Sequence, residues 1–442
     1  MCPTFRDLRE IRRCGLDRRQ TFITHSYASD ELEQMTVERN AHDDVLADIN
    51  IELSRLLRRA RREHVDAVIS TDDYPGAALA SIVAAELGLP GTAPRANLVC
   101  QHKLYARRAQ QIAVPEATPW FAPIEDGQTV IATPSFPVFV KPVKSCFSVG
   151  SYPVENARGV STSLRLARLP TRFFAPFAAL FEKYTGLPFG SARVLAETLL
   201  TGTQATFEGY MRDGRLTSIG VVDSLMYPGT IAFERFAYPS RLPAPIQQRV
   251  VDIAARALQA VGFSHGLFNL EFMYDERTDR VAIIEINPRL ASQFADLYEK
   301  VDGTNTYEVL VALACGNQVS VKHRAGGHAA AVSRVFRLFG DARVRRVPSA
   351  TEVAAVEREY ADARIEVLAD PGRRLSEQMQ DGRSYRYAIV SAGGVDHEHA
   401  GRRALECRHR LDFQFDDEQE TLAGSPTSAA DCRRFEPAPR SA

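Results

Sequence analysis

The sequence predicts a mixed architecture, partly α/β and partly α+β, spread over several domains. Three observations carry that prediction. Residues 65–70 (VDAVIS) read as a buried strand that ends in an acidic turn and leads into a small-residue helix over 76–87, the strand–loop–helix unit of a parallel layer. Residues 193–238 hold four strand-like runs in quick succession, and an amphipathic helix follows over 243–260. Residues 268–289, FNLEFMYDERTDRVAIIEINPR, then read as a hairpin whose two arms each carry one acid. The chain has 442 residues, enough for about two to four domains.

Taken in order, residues 1–45 are polar and carry no assignable period. Residues 44–63 form a helix, because Ile49, Leu53, Leu56 and Leu57 share one face. The strand over 65–70 reaches Asp72 and Asp73, and Gly88-Leu89-Pro90-Gly91 stops the next helix. A further helix covers 102–111. Residues 136–141 are a strand and 141–150 a loop. Phe173, Phe174, Phe177 and Phe181 make an aromatic stripe within the unusual segment 156–190, read as core or lid packing. Strands come next at 193–197, 204–211, 216–223 and 230–238, the second and third joined through Asp213-Gly214. The helix over 243–260 presents Ile246, Val250, Ile253 and Leu258 on one side. A third unit begins near 321, with strands at 329–338 and 385–391. From 418 to 442 the composition turns to Ser, Thr, Pro, Ala and Glu, a disordered tail.

Composition narrows the function. A net charge of −1 offers no basic footprint for nucleic acid and no polybasic patch for a membrane surface. Seven scattered cysteines without a CxxC pair or Cys/His cluster read as free thiols in a reducing compartment. No apolar run is long enough to span a bilayer, and the N-terminus is too charged for a signal peptide, so the expected location is cytoplasmic. Lysine occurs only at 103, 141, 144, 183, 300 and 322, leaving arginine to supply 48 of the 54 basic residues. Three lysines within 103–144 therefore stand out as sites where arginine would not serve.

The hairpin carries the most chemistry. A turn centred near Thr278 sets Glu271 opposite Glu285, about 5 Å apart on one face, and alternation brings Asn287 to that face. Two carboxylates and an amide in an apolar sheet are costly unless a cation lies between them, and Mg²⁺ carrying nucleotide phosphates fits such hard oxygen ligands. A half-exposed hairpin with acids on its wet side is the plainer alternative. Lys141 ends the strand over 136–141, where a compact ammonium suits phosphate oxygens; alone it would read as a snorkelling lysine. Lys103 opens a helix upstream, and Ser145 and Ser148 in the loop after Lys141 offer donors to a phosphate tail. The strand at 193–197 enters a linker, where free backbone groups and Glu197 can meet the edge of adenine. No P-loop, GxGxxG, HExxH or GxSxG occurs, so phosphates must be held in another way.

From Lys103 to Gly316 this pattern resembles the ATP-grasp family. The resemblance implies that Lys103 and Lys141 bind phosphates, that Glu197, Thr198 and Leu200 hold adenine, and that Glu271, Glu285 and Asn287 hold Mg²⁺. Its most specific element is the Glu-x-Asn-Pro-Arg string at 285–289, whose arginine, Arg289, faces the acyl substrate in relatives. Gln204, with Glu208 four residues on, stands where the ribose acid is expected. One departure is the phosphate loop, 144–151, which holds only Gly150 where relatives are glycine-rich. The implied organisation is a Rossmann-like pre-ATP-grasp domain (1–102), a two-lobed ATP-grasp domain (103–320, lobes about 103–196 and 197–320) and a small C-terminal α+β domain (321–417).

The activity implied by the resemblance is that of an ATP-dependent ligase joining a small carboxylate to an amine through an acylphosphate, with ATP and Mg²⁺ as cofactors and Lys141 and Arg289 as catalytic residues. The same cradle serves phosphotransferases, carboxylases and silent nucleotide-binding proteins, which remain alternatives. The expected partners are the two small-molecule substrates, with no nucleic acid and no membrane, and a homodimer as in many relatives. His265 is read as a satisfied structural histidine and Cys146 as a packed thiol. Asp296, Tyr298 and Lys300 are open between pocket-lining residues and a solvated helix start.

Overall fold

The computed structural model describes residues 1–25, 49–125, 135–145, 150–157, 178–192, 194–378 and 384–416, and the regular elements among the described part of the first hundred are helices. Helix α1 (Phe5–Arg13) opens on a capping box: the Asp7 N–H donates to the Thr4 hydroxyl, and the Thr4 N–H donates to the Asp7 carboxylate. Next come α2 (Leu16–Arg19) and α3 (Ile49–Arg62), which buries Ile49, Leu53 and Leu56. α4 (Gly76–Glu86) is rich in small residues and is buried almost all round; α5 (Pro94–Gln101) and α6 (Lys103–Ala113) complete the group.

No strand forms over 65–70, which corrects the expectation of a parallel layer there. A strand exists only with a neighbour to complete its ladder, and this stretch finds none among the described residues. Its Ile69 carbonyl accepts instead from the Met1 ammonium at 2.8 Å, and the Ser70 hydroxyl donates to the Met1 carbonyl at 3.0 Å. Among the described residues, 1–102 carry no strand at all.

A first antiparallel sheet is built from β1 (Phe121–Ile124), β2 (Val138–Pro142), β3 (Tyr152–Val154) and, after helix α7 (Ala178–Thr185), β4 (Val194–Thr198), in the order β1-β4-β2-β3. The second sheet draws on β5 (Thr203–Arg212), β6 (Arg215–Met226), β7 (Phe233–Tyr238), β8 (Gly266–Asp275) and β9 (Arg280–Asn287), with α8 (Ala244–Ala260) between β7 and β8. Helices α9 (Ala295–Asp302) and α10 (Thr306–Ala314) succeed β9. Then come β10 (Ala330–Leu338), β11 (Arg343–Arg346), α11 (Ala350–Glu359), β12 (Arg364–Val367), β13 (Tyr385–Gly394), α12 (His397–His409) and β14 (Gln414–Asp416).

The eight strands of the second sheet run β12-β13-β10-β7-β6-β5-β8-β9, so the sheet crosses the boundary expected near residue 320 without a break. One face is covered by α8, whose Ile246, Val250, Ile253 and Ala257 pack on Phe207, Phe268, Leu270 and Phe272. Each such fully buried side chain stabilises by about 1.5–3 kcal/mol. The opposite face near β8 is covered by α9 and α10 through Leu297, Tyr298 and Val309. Helix α12 covers β10 and β13 with Ala400, Ala404 and Cys407. The first helix is tied to this body, since Arg6 bonds both oxygens of Glu366 on β12 at 2.6 and 2.8 Å and Tyr307 on α10 donates to Asp7 at 2.6 Å.

The strands expected between 136 and 391 and the helices expected at 76–87, 102–111 and 243–260 are present with ends moved by up to three residues, whereas α1, α5, α10, α11 and α12 and strands β1, β3, β11, β12 and β14 do not follow from the periodicity. The aromatic positions 173, 174 and 177, Cys146, Ser148 and the tail 418–442 lie outside the described residues. Phe181 is described and buried, packed on His102 and Tyr105. Among the described residues no helix is long and apolar enough to cross a membrane.

Candidate active site

The β8–β9 hairpin presents one polar face, and a single irregularity makes it so. Asp275 pairs with Arg280 across a turn at 276–279, and Phe272 pairs with Ile283. A bulge then intervenes, and Glu271 meets Glu285 while Asn269 meets Asn287. Without the bulge, Glu271 would pair with Ile284, and Glu285 would point to the apolar side opposite Leu270. The expected opposition of the two acids is therefore present, but it arises from a four-residue turn plus a bulge and not from an unbroken register about Thr278. Asn287 stands on the same face, its amide donating to Glu271 at 3.2 Å and Asn269 at 3.3 Å.

Helix α6 aims two cations at this face from consecutive turns, as spacing of four requires. Lys103 Nζ lies 3.4 Å from Glu285 and donates to the Ser145 carbonyl at 3.2 Å. Arg107, fully buried, donates at 2.7 Å both to Glu197 and to the Ile284 carbonyl. The bulge that turns Glu285 inward thus also supplies an acceptor for Arg107. Lys141, at the end of β2, is buried and forms a 2.7 Å ion pair with Glu197.

Glu197 departs from its expected place at the adenine edge. Both of its oxygens are engaged by Arg107 and Lys141 inside the first sheet, where it neutralises two buried cations. The Thr198 N–H donates to the Trp120 carbonyl at 3.0 Å, so that backbone group too is occupied, and Leu200 lies half-buried beyond the strand end. Gln204 sits beside the metal-type acids and donates to Glu271 at 3.3 Å. Glu208 does not reach them: wholly buried, it accepts from the Ala291 N–H at 3.0 Å.

Arg289 leaves the hairpin toward the N-terminal helices and bonds Asp73 at 3.1 Å. Lys144 is buried, donates to Gln101 and lies over the Tyr74 ring at 5.3 Å. His265 bonds the Leu313 carbonyl at 3.1 Å, a structural role. Tyr298 is a core residue and Lys300 is buried against Asp296, so the start of α9 is not a solvated helix end.

The charges are arranged unequally. Burial and the neighbouring Glu285 push the Glu271 carboxyl up. Burial also works on Glu285, but Lys103, Lys141 and Arg289 outweigh it and hold that carboxylate low. Burial lowers the Lys141 ammonium to about 8, opposed by Glu197. Near the N-terminal helices, burial lifts Asp72 to about 7. Among the described residues no three His, Cys, Asp or Glu side chains gather as a metal cluster. Two carboxylates and an amide with lysines opposite form a donor set suited instead to a hydrated, phosphate-bearing Mg²⁺.

Glu208 provides a test of burial. Its carboxyl is pushed from an ordinary 4.5 to about 8 by burial. The folded protein thus keeps a proton that the unfolded chain releases above about pH 4.5, so stability falls as pH rises and levels off above 8. Glu208→Gln should remove this loss. In urea denaturation the variant is expected to gain about 2–3 kcal/mol over wild type between pH 5.5 and 8.5. Parallel curves for the two proteins would mean that the carboxyl is not held protonated.

Arg107, Asn269 and Asp73 were not apparent as site residues from the sequence. Helical spacing from Lys103 was the available signal for Arg107, and strand alternation from Glu271 that for Asn269. Nothing local points from Asp73 to Arg289.

Two antiparallel sheets thus contribute to the site, one bearing Glu271 and Glu285 and the other Lys141 and Glu197, while Lys103 and Arg107 reach in from helix α6. A family model described as the ATP-grasp domain matches residues 134–296. Over 133 residues it is 33% identical to carnosine synthase 1 of Gallus gallus, covering 30% of this chain and 14% of that protein. It is 27% identical to a D-alanine--D-alanine ligase of Synechococcus sp. (strain CC9605), covering 35% of this chain and 40% of the relative. The matched stretch thus spans less than half the length of either curated relative. An L-amino acid ligase from Bacillus licheniformis superposes with a TM-score of 0.63 at 15% identity, covering 82% of this chain and 84% of that one, which is a likeness of fold.

Proposed function

We propose that the chain is an ATP-dependent ligase that joins a small carboxylic acid to an amine. The observation that carries this reading is the in-register pair Glu271 and Glu285, with Asn287 beside it and Lys103 and Lys141 facing it. Such a face suits a polyphosphate bound with a divalent ion. Similarity to relatives named carnosine synthase 1 and D-alanine--D-alanine ligase supports the choice of reaction.

In this reading Glu271, Glu285 and Asn287 hold Mg²⁺, which when bound neutralises phosphate charge and polarises the transferring group. Lys103 and Lys141 bind phosphate oxygens as compact ammoniums. Arg107 keeps Lys141 and Glu197 in place through the buried ion pairs, a positioning role. Arg289 neutralises the acid. An oxygen of the substrate carboxylate attacks the γ-phosphorus as the bond to the ADP oxygen breaks, giving an acylphosphate and ADP. The amine nitrogen then attacks the acyl carbon, phosphate departs, and the nitrogen loses a proton. The protein's contribution is orientation and charge.

The test is incubation with Mg·ATP, pooled amino acids and small carboxylates, followed by mass spectrometry of nucleotide and products. ADP together with a product one water lighter than its two precursors is the expected result. AMP would exclude the acylphosphate route. A phosphorylated product or dependence on bicarbonate would move the chain to another reaction.

A further inference from the structure

The polar face of the hairpin does not end at the metal-type acids. Along β8 the residues on that face are Glu271, Asn269 and Leu267; along β9 and just beyond it they are Glu285, Asn287 and Arg289. Each step of two residues moves about 6–7 Å along the sheet, so the row passes from carboxylates to amides to a leucine and an arginine. Leu267 and Arg289 both line a cavity of about 60 Å³. Its other walls come from the stretch before α4, from α4 itself and from the last turns of α10.

Those walls are mostly carbon. Ile69, Ala77, Ala80, Leu290, Leu310 and Leu313 supply them. Most of its polar groups are bonded elsewhere: the Ser70 hydroxyl donates to the Met1 carbonyl at 3.0 Å, the Ser81 hydroxyl to the Ala78 carbonyl at 2.7 Å and the Thr92 hydroxyl to the His265 carbonyl at 2.9 Å, the Asn97 side-chain oxygen accepts from Gln101 at 2.7 Å, and His265 bonds the Leu313 carbonyl at 3.1 Å. The one fixed charge on the wall is Arg289, half-buried and held by Asp73. A void of this size is several times what one water requires, roughly 10–15 Å³, and with so few polar partners it holds water poorly. An arginine at the rim of an apolar cavity, at the end of a row that starts with phosphate-directed groups, is the arrangement that seats a carboxylate and buries what is attached to it.

We propose that this cavity is the acyl-side specificity pocket, taking acids with a short branched aliphatic tail of about three or four carbons, the carboxylate lying toward Arg289. The assignment rests on the ligase reading for the place of the acid beside the phosphates. Ala77 and Ala80 on α4 leave the space that the tail fills, and Leu310 on α10 closes its far side. An aromatic tail exceeds the volume, and acetate or glycine leaves it empty. The residues that select the acid therefore come largely from the N-terminal helices and α10, with Leu267 of β8 beside them.

Calorimetric titration in the presence of Mg·ADP tests this apart from catalysis. The probes are acetate, 4-methylpentanoate and 3-phenylpropanoate, and their amino counterparts glycine, leucine and phenylalanine. Wild type is expected to bind the branched member of at least one series tenfold or more tighter than the two-carbon member. Ala80→Leu should reduce that preference to about twofold, while Leu310→Ala should shift the preference toward the phenyl-bearing acid. Opposite shifts from filling and enlarging the pocket are not produced by general destabilisation, and Leu310→Ala carries the test by itself if Ala80→Leu does not fold. No binding of any acid by wild type, no preference for the branched tail, or an unchanged order in the variants overturns the assignment. Tight binding of the branched acid without ADP or amide formation with any pooled amine would overturn the ligase reading and leave the pocket standing.

Discussion

Glu285→Gln is expected to abolish ADP formation, lowering turnover by about a thousandfold or more while leaving the fold intact. The amide keeps the size of the side chain and its place opposite Glu271 but removes the carboxylate that Lys103, Lys141 and Arg289 hold ionised. A divalent ion would lose one of its two anionic ligands, and Lys103 would lose its ion-pair partner. The fold should not suffer, because the change also relieves the repulsion that pushes Glu271 up. Circular dichroism and the melting temperature should match wild type while ADP release, measured by a coupled assay, disappears. Retained turnover would rule out the assignment of the metal-binding face.

Arg107→Leu is expected to destabilise the protein by about 3–5 kcal/mol. This guanidinium is wholly buried and serves Glu197 and the Ile284 carbonyl at once, each at 2.7 Å. Leucine fills part of the volume but leaves Glu197 with Lys141 as its remaining charged partner, and it leaves the bulge carbonyl without its arginine donor. The cost of a buried group stripped of its partner, not the strength of the pair, sets the size of the effect. Urea denaturation reads it directly. A loss below about 1 kcal/mol would show that the triad is not closed as described. Added Mg·ATP should not restore stability to wild-type level, since Lys141 loses the neighbour that fixes it.

Much of the fold was legible because its signals are local. The helix over 243–260 and the strands at 204–223 announce themselves by period, and the two acids of the hairpin by their isolation in apolar runs. The 65–70 segment shows the limit: its composition is that of a buried strand, but a strand needs a partner, and whether one pairs with it is not written within six residues. Glu197 shows another. Its position at a strand end was correctly read, yet its direction depends on Arg107, ninety residues earlier in the chain. The bulge at Ile284 left the pairing of Glu271 with Glu285 intact while changing how it is reached, so a simple register count and the real geometry agree for different reasons. Contacts such as Arg289 with Asp73 join segments more than two hundred residues apart, and no spacing rule reports them.

The uninterrupted sheet from β12 to β9 bears on how the molecule comes apart. Its strand β10 covers the edge of β7 through Ala331 to Arg334, while α1 clasps β12 on the far border through Arg6 and Glu366. A chain stopped before β10 would lay bare a row of backbone donors and acceptors on β7, the kind of open border that recruits strands from other molecules. The segment from β10 onward therefore acts as the hem of the sheet that carries the two acids. Loosening it frays the fabric inward, from β10 through β7 and β6 toward the hairpin that bears Glu271 and Glu285.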